Sequence, residues 1–291
     1  MSSGLQIRIV THNIRYATTS PSEGEEPWSK RCPRILAQLR YTTRYAPTTL
    51  IGLQEVLHGQ LVDILIGLNA DDDVWRSIGV GRNDGKQDGE YSPILYRSSA
   101  WELERQETFW LSETPDRPSK GWDASSIRLA TVGVFSDRQS RQKLLVINTH
   151  LDDQGSIARR HGAELILKRI EACVCEEESN TPLPVVLSGD MNSTEDQEAY
   201  KVLAAADSMV ADMKYKVNQD LRHGWDATWT GFDGDGGGEG LKRIDFVFCG
   251  PCDSSQWHYR GYSVLSNCFE DAVYLSDHRA VVADLEWLPR A

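Results

Sequence analysis

Short strand-like runs, spread along a chain of 291 residues, are what most limit the folds open to this sequence. Leu5-Gln6-Ile7-Arg8-Ile9-Val10 places apolar residues on alternate positions and predicts a strand near 5–12. Alternation or short apolar blocks predict more strands near 48–54, 74–80, 91–97, 100–111, 127–135, 142–149, 183–189, 244–249, 257–265 and 278–286. Helical spacing separates some of them. It runs over 31–45 (Ile35, Leu36, Leu39, Tyr45), 57–69 (Leu57, Leu61, Ile64, Leu65, Leu68) and 156–173 (Ile157, Leu165, Ile166, Ile170, Cys173). A shorter helix is expected from Thr194 to about Ala205. Pro33 suits a first helical turn, and Ser156 suits a cap. Strands connect through helices early, through hairpins in the middle, and through both at the end. That excludes a clean βαβ series and predicts an α/β sandwich of two stacked mixed sheets with helices outside. No Pro/Ser-rich linker and no repeat divides the chain, so residues 1–291 read as one domain.

The hydrophobic and charged fractions, 40% and 25%, fit a folded domain and exclude a disordered or collagen-like chain. No run approaches the ~18 apolar residues of a membrane span, and the N-terminus lacks a signal-peptide pattern, so a cytoplasmic location is expected. A net charge of −12 weighs against long nucleic acid as partner, since phosphate backbones are bound by cationic neutralisation. Cys249-Gly250-Pro251-Cys252 has the spacing of a redox site but follows a strand instead of opening a helix. It reads as a Gly-Pro turn flanked by reduced thiols, and its spacing with Cys173-Val174-Cys175 is wrong for zinc.

The chemistry gathers where strands end. Asn13 follows the first strand, Glu55 closes Leu50-Ile51-Gly52-Leu53-Gln54, and His150 closes Leu144–Thr149. Asp190 and Asn192 close Val185–Gly189, and Asp277 and His278 open the last strand. A single carboxylate after a strand is usually a cap or turn residue. Independent turn chemistry would also draw on Ser, Gly, Pro and Lys; these ends carry only Asn, Asp, Glu and His. Carboxylate and amide oxygens without cysteine suit a hard cation, Mg²⁺ or Mn²⁺. Two imidazoles beside such an ion suit acid–base work on water and a leaving oxygen, and the whole set suits a phosphoryl group.

The blocks Asn13-Ile14-Arg15, Gln54-Glu55, Asn148-Thr149-His150-Leu151-Asp152, Gly189-Asp190-Met191-Asn192, Arg243-Ile244-Asp245 and Ser276-Asp277-His278 together resemble the endonuclease/exonuclease/phosphatase superfamily. The resemblance implies the DNase I-like fold, a four-layer α/β/β/α sandwich, and metal-dependent phosphoester hydrolysis. It also implies roles. Glu55 would be the principal metal ligand, positioned by Gln54 and helped by Asn13, with Asp277 a further metal-side carboxylate. Asp190 and Asn192 would orient water and bind the phosphoryl group. His278, oriented by Asp245, would contact the phosphate or serve as base, and His150 would be a phosphate ligand or the acid for the leaving group.

Gly89–Tyr96 and Phe109–Pro115, with Gly121-Trp122-Asp123, resemble a branch of bacterial and fungal hydrolases. Within these segments and the adjoining strand, Arg128, Tyr91, Trp110 and Trp122 are candidate substrate contacts, and Trp229 is a further candidate wall. Acidic loops at Glu23–Glu26 and 231–240 favour a small phosphorylated substrate over nucleic acid. The competing expectations are a metal-dependent nuclease and a non-catalytic binding protein on the same fold. The long loops at 18–29, 112–126 and 218–243 are expected to wall the site, the last as a flexible acidic segment.

Overall fold

The computed structural model describes residues 4–72, 74–176, 182–234, 236, 239–252 and 254–288. Its strands, in chain order, are β1 (Leu5–Asn13), β2 (Thr49–Gln54), β3 (Trp75–Ile78), β4 (Ile94–Arg97), β5 (Trp101–Trp110), β6 (Leu129–Asp137), β7 (Lys143–His150), β8 (Val185–Asp190), β9 (Ala211–Asp212), β10 (Arg222–Gly224), β11 (Asp245–Gly250), β12 (Trp257–Val264) and β13 (Val281–Trp287). The helices are α1 (Trp28–Thr43), α2 (His58–Leu68), α3 (Ser156–Glu176), α4 (Glu198–Leu203) and α5 (Met213–Lys216). One sheet has the order β10-β12-β13-β1-β2-β4-β3 and the other β5-β6-β7-β8-β11-β9. Each contains parallel and antiparallel pairs, β1–β2 and β7–β8 being parallel.

Strand periodicity sorts the side chains into layers. Leu5, Ile7 and Ile9 of β1 face Leu144 and Val146 of β7, Val186 of β8 and Val247 of β11 in the core between the sheets. Val10, Ile51 and Leu53 point the other way, onto Ile35 and Leu39 of α1 and Leu61 and Ile64 of α2. Leu145, Ile147, Leu187, Phe246 and Phe248 cover Ala163, Ile166 and Ile170 of α3 and Leu203 of α4. The order helix, sheet, sheet, helix is the predicted sandwich. No described helix is long and apolar enough to cross a membrane.

Toward one end of the sandwich the inward positions turn polar while the periodicity continues. Gln54 Nε2 of the first sheet donates to Asn148 Oδ1 of the second at 2.7 Å, and also to Thr11 Oγ1. Asn148 Nδ2 returns two bonds, to Leu53 O and Pro93 O, at 2.8 and 2.9 Å. The sheets approach here because position 52 is glycine; a Cβ there would lie 2.6 Å from Asn148 Oδ1. One step further along the same strands lie Asn13, His150, Asp190 and Asp245.

Several local expectations are corrected. α1 begins a turn early, so Pro33 sits in its interior. The fully buried Arg31 draws that turn inward by donating to the carbonyls of Ile14, Arg15, Glu26 and Leu275. Ser156 starts α3 without capping it; Asp123 receives the N–H groups of Ile157 and Ala158. The helix expected from Thr194 is shorter, and β9, α5 and β10 are too brief to show a period. Cys249 ends buried inside β11 and all six thiols are free; burial pushes Cys249 up to about 12, the opposite of an activated thiol. In the glycine-rich loop, Asp235, Gly237 and Gly238 lie outside the described residues, while Phe232 is buried with its ring edge-on to Tyr274.

Asn148 links both sheets through buried hydrogen bonds, and a valine there would leave Gln54 Nε2, Leu53 O and Pro93 O without that partner. Asn148→Val is therefore expected to lower the unfolding free energy by about 3 kcal/mol or more, measured by urea denaturation. A loss below about 1 kcal/mol would show that the sheets hold their spacing without this bridge.

Candidate active site

Pairing across the second sheet sets the floor of the site. His150 of β7 is registered with Asp190 of β8, and Asp190 with Asp245 of β11, so three titratable groups stand side by side at the strand ends. His278 enters from the segment before β13. Residues 228–230 hold it in place: Thr228 Oγ1 takes the N–H groups of Ile244 and Asp245, and Thr228 O takes that of Arg279. His278 Nδ1 then meets Asp245 Oδ2 at 2.8 Å, while its Nε2 lies 3.7 Å from Asp190 Oδ2. Burial opposes charge on this imidazole, but Asp245 and Asp190 outweigh it and hold His278 up at about 10. Burial, reinforced by Asp245, pushes Asp190 up to about 7 against the pull of His278 and the Asn13 and Asn192 donors.

His150 is the opposite case. Burial, with Arg128 and Arg82 nearby, drives it well below the usual imidazole range, so it is neutral. Its Nε2 accepts from Asn192 Nδ2 at 3.0 Å and stands 3.5 Å from Asp190 Oδ2. Asn192 also donates to Leu151 O, and its own N–H bonds Asp190 Oδ1 at 2.9 Å. The two histidines thus differ in charge because one has a buried carboxylate partner and the other faces guanidinium groups.

The first sheet brings the remaining carboxylates. Asn13 Nδ2 donates to both Glu55 Oε1 and Asp190 Oδ2 at 3.0 Å, joining the sheets at the rim. Glu55 Oε2 accepts Tyr16 N–H and lies 3.8 Å from Arg15 Nη1. Gln54 does not touch Glu55; its side chain turns inward to Thr11 and Asn148, so it positions Glu55 through the backbone alone. The Ser276 hydroxyl bridges Asn13 O and Asp277 Oδ1 and receives His278 N–H. Arg15, Glu55 and Asn192 all have φ between 45° and 58°, a conformation costly for non-glycine residues and here imposed at the site itself. Glu55 and Asp277 carry the carboxylate oxygens of a hard cation site, and Asn13 adds an amide whose Oδ1 accepts Arg15 N–H and whose Nδ2 faces Glu55 and Asp190. Asp190, Asp245 and His278 also bring ligand-type atoms within 4.8 Å. The hydrogen bond between His278 Nδ1 and Asp245 Oδ2 already engages two of these three.

Glu55, His150, Asp190, Asn192, Asp277 and His278 line a cleft of about 700 Å³, walled also by Arg15, Arg82, Glu90, Arg128, Trp229 and Lys242. Of the sequence candidates for substrate contact, only Arg128 lines it. Tyr91 is buried behind the wall with its hydroxyl on Lys86 O. Trp110 is also buried, donating to Arg82 O and so propping the Arg82 turn. Trp122 stacks on His161 of α3, 4.7 Å between ring centroids, away from the cleft. Trp229 does form wall, with Lys242 Nζ 4.9 Å from its ring centre. Glu25, read as part of an acidic loop, is buried between Arg15 and Arg31. Sequence reasoning missed Arg82, Glu90, Asp153 and Lys242. Glu90 lies within the Gly89–Tyr96 segment and Asp153 directly follows Asn148–Asp152, whereas Arg82 sits among turn residues and leaves no signal.

Asp152 anchors the loop that follows His150. Its carboxylate accepts N–H groups from Ser125, Ser126, Gln154 and Gly155 and the Ser125 hydroxyl. Burial opposes its charge, but the Gly155, Ser125 and Ser126 bonds, with Arg128, hold it down at about 2 against the ordinary 3.8. The carboxyl titrates lower in the folded state, so its contribution of about 2 kcal/mol is complete at neutral pH. It fades as pH falls from about 4 through about 2. Asp152→Asn is expected to cost about that amount at pH 7, the gap from wild type closing toward pH 2 in unfolding titrations. A gap independent of pH would place the effect outside this carboxylate.

Comparison with known proteins follows the same lines. The Endonuclease/Exonuclease/phosphatase family model matches residues 10–278. The structure of the endonuclease/exonuclease/phosphatase from Bacteroides vulgatus is 34% identical with a TM-score of 0.83, covering 97% of this chain and 99% of that one. The mannosyl-6-phosphatase of Bacteroides thetaiotaomicron is 30% identical with a TM-score of 0.82, over 96% and 99%. The human Nocturnin catalytic domain, at 17% identity and a TM-score of 0.70 over 97% and 93%, shares the fold. No curated sequence matches. Two stacked sheets, the strand-end blocks in order and a family match over nearly the whole length lead to one conclusion: the chain belongs to the endonuclease/exonuclease/phosphatase family.

Proposed function

We propose that the chain hydrolyses the phosphoester of a small phosphorylated molecule, with a divalent cation, Mg²⁺ or Mn²⁺, held by Glu55, Asn13 and Asp277. The observation that carries this reading is Asp190. It is buried at the cleft floor, 3.7 Å from one imidazole and 3.5 Å from another, with Asn13 linking it to the Glu55 carboxylate. When bound, the cation supplies positive charge against the negative charge that develops on the phosphoryl oxygens. His278, kept protonated by Asp245, donates from Nε2 to a phosphoryl oxygen. Asp190 orients the attacking water and receives its proton as the water oxygen bonds to phosphorus, while the ester oxygen leaves with the bonding electron pair and takes a proton from solvent in the cleft. Neutral His150 fixes the Asn192 amide through its Nε2.

The substrate reading rests on the cleft and on charge. A space of about 700 Å³ suits a small ester, and paired charges at Arg82–Glu90 and Lys242–Glu239 line it. With a net charge of −12, long polyanions are disfavoured. The relative at 30% identity is a mannosyl-6-phosphatase, which favours a phosphorylated sugar.

Glu55→Ala and His278→Ala are each expected to lower kcat by about 10²–10⁴-fold. EDTA is expected to abolish turnover, with Mg²⁺ or Mn²⁺ restoring it. The check is a panel of sugar phosphates and small phosphodiesters, run beside plasmid and single-stranded oligonucleotides. Small esters should turn over and plasmid should not. Efficient plasmid cleavage, falling steeply between ~50 and ~200 mM salt while small esters stay silent, would make the chain a nuclease. Wild-type rates in EDTA would remove the metal-assisted reading.

A further inference from the structure

The cleft wall beside His150 carries charges that the reaction above does not use. Arg82, from the turn after β3, donates through Nη1 to Glu90 Oε2 at 2.8 Å. Arg128, at the entry to β6, places Nη1 4.0 Å from the same oxygen and donates through Nη2 to Asp153 Oδ1 at 2.8 Å. The Arg128 side chain is only 7% exposed; its Nε, 3.5 Å from Asp152 Oδ2, and its Nη1, 4.0 Å from Glu90 Oε2, face carboxylates without making a hydrogen bond. Buried guanidinium donors held only by such long ion pairs keep hydrogen-bonding capacity, and Arg128 lines the cleft.

Guanidinium groups and carboxylates alternate along this strip, so its formal charge cancels. A second phosphate would meet two carboxylates, and an apolar group would bury donors that lack a hydrogen bond. A hydroxyl both donates and accepts, so it pairs with a guanidinium and a carboxylate at once. The strip also has a defined place in the reaction. His150 Nε2 is 3.5 Å from Asp190 Oδ2, while its Nδ1 is 3.9 Å from Glu90 Oε2. The strip therefore lies beyond His150 from the hydrolytic carboxylate, where the alcohol half of an ester would extend.

We infer that Arg82, Glu90, Arg128 and Asp153 form the subsite for the alcohol half of the substrate, and that it takes a polyhydroxylated group through paired hydrogen bonds to neighbouring hydroxyls. The inference rests on the phosphoester-hydrolase reading. It makes selectivity a matter of hydroxyls, because a site built to pair them penalises an ester that lacks them.

Asp153→Asn tests it, since this side chain is 44% exposed and the change is isosteric. The ratio of kcat/KM for a hexose 6-phosphate over phenyl phosphate is expected to fall at least about tenfold. Equal losses on both esters, or an unchanged ratio, would overturn the subsite. Calorimetric titration with free hexose reads the same strip without turnover. Wild type should bind at millimolar concentration and Asp153→Asn several-fold more weakly; no heat in wild type would also overturn it. Hexose binding that weakens in the variant, with neither ester hydrolysed, supports the subsite and removes the hydrolase reading.

Discussion

A single buried hydrogen bond, Gln54 Nε2 to Asn148 Oδ1 at 2.7 Å, sets how the two sheets meet. Apolar packing alone is non-directional and tolerates small slips between facing sheets. A buried amide pair is not, because a shift leaves donors and carbonyls without partners at about 1–3 kcal/mol each. Gly52 makes the close approach available, and Asn148 extends the bridge to Leu53 O and Pro93 O. Everything at the rim inherits that register. Asn13 can contact Glu55 on its own sheet and Asp190 on the other because the layer beneath is fixed.

Buried arginines do for the loops what the amide bridge does for the sheets. Arg31 gathers four carbonyls from three segments under Glu55 and Asn13. Arg243 is held by Asp212 and Glu195 and lies 4.4 Å from the Phe246 ring centre, anchoring the chain just before Asp245. Such groups are poor sources of net stability but strict specifiers of geometry, since each donor must find its acceptor. Rigid surroundings of this kind sustain the positive φ values of Arg15, Glu55 and Asn192.

The electrostatic division of labour follows from the same packing. His278 and His150 are both buried and both near Asp190. Only His278 has a carboxylate at hydrogen-bond distance, so it holds its proton; His150 looks toward Arg82 and Arg128 and stays neutral. The sequence marks both as strand-end histidines and cannot tell them apart. Charge state is a property of neighbours brought from distant segments.

Local pattern was enough for much of the architecture. Alternation at Leu5, Ile7 and Ile9 and at Leu144 and Val146 identified strands buried on their inward faces, because side-chain direction follows a period of two whatever the partner. Asn13, Glu55, His150, Asp190 and His278, which the structure brings together, were legible as candidates for a related reason: polar groups at the ends of apolar runs have few structural uses. Where the signal is weaker than the packing, pattern failed. Trp110, Trp122 and Tyr91 looked like substrate platforms, but aromatic rings serve equally as supports, and their hydrogen bonds and stacking partners lie behind the cleft. Arg82 and Glu90 converge on Arg128 from segments with no shared periodicity. What the sequence by itself determined, then, was which residues lie on which face and which strand ends carry chemistry. What only the tertiary structure decided was which of those groups meet, at what distance and in what charge state, because hydrogen-bond partners and desolvation are set by contacts between residues far apart in the chain.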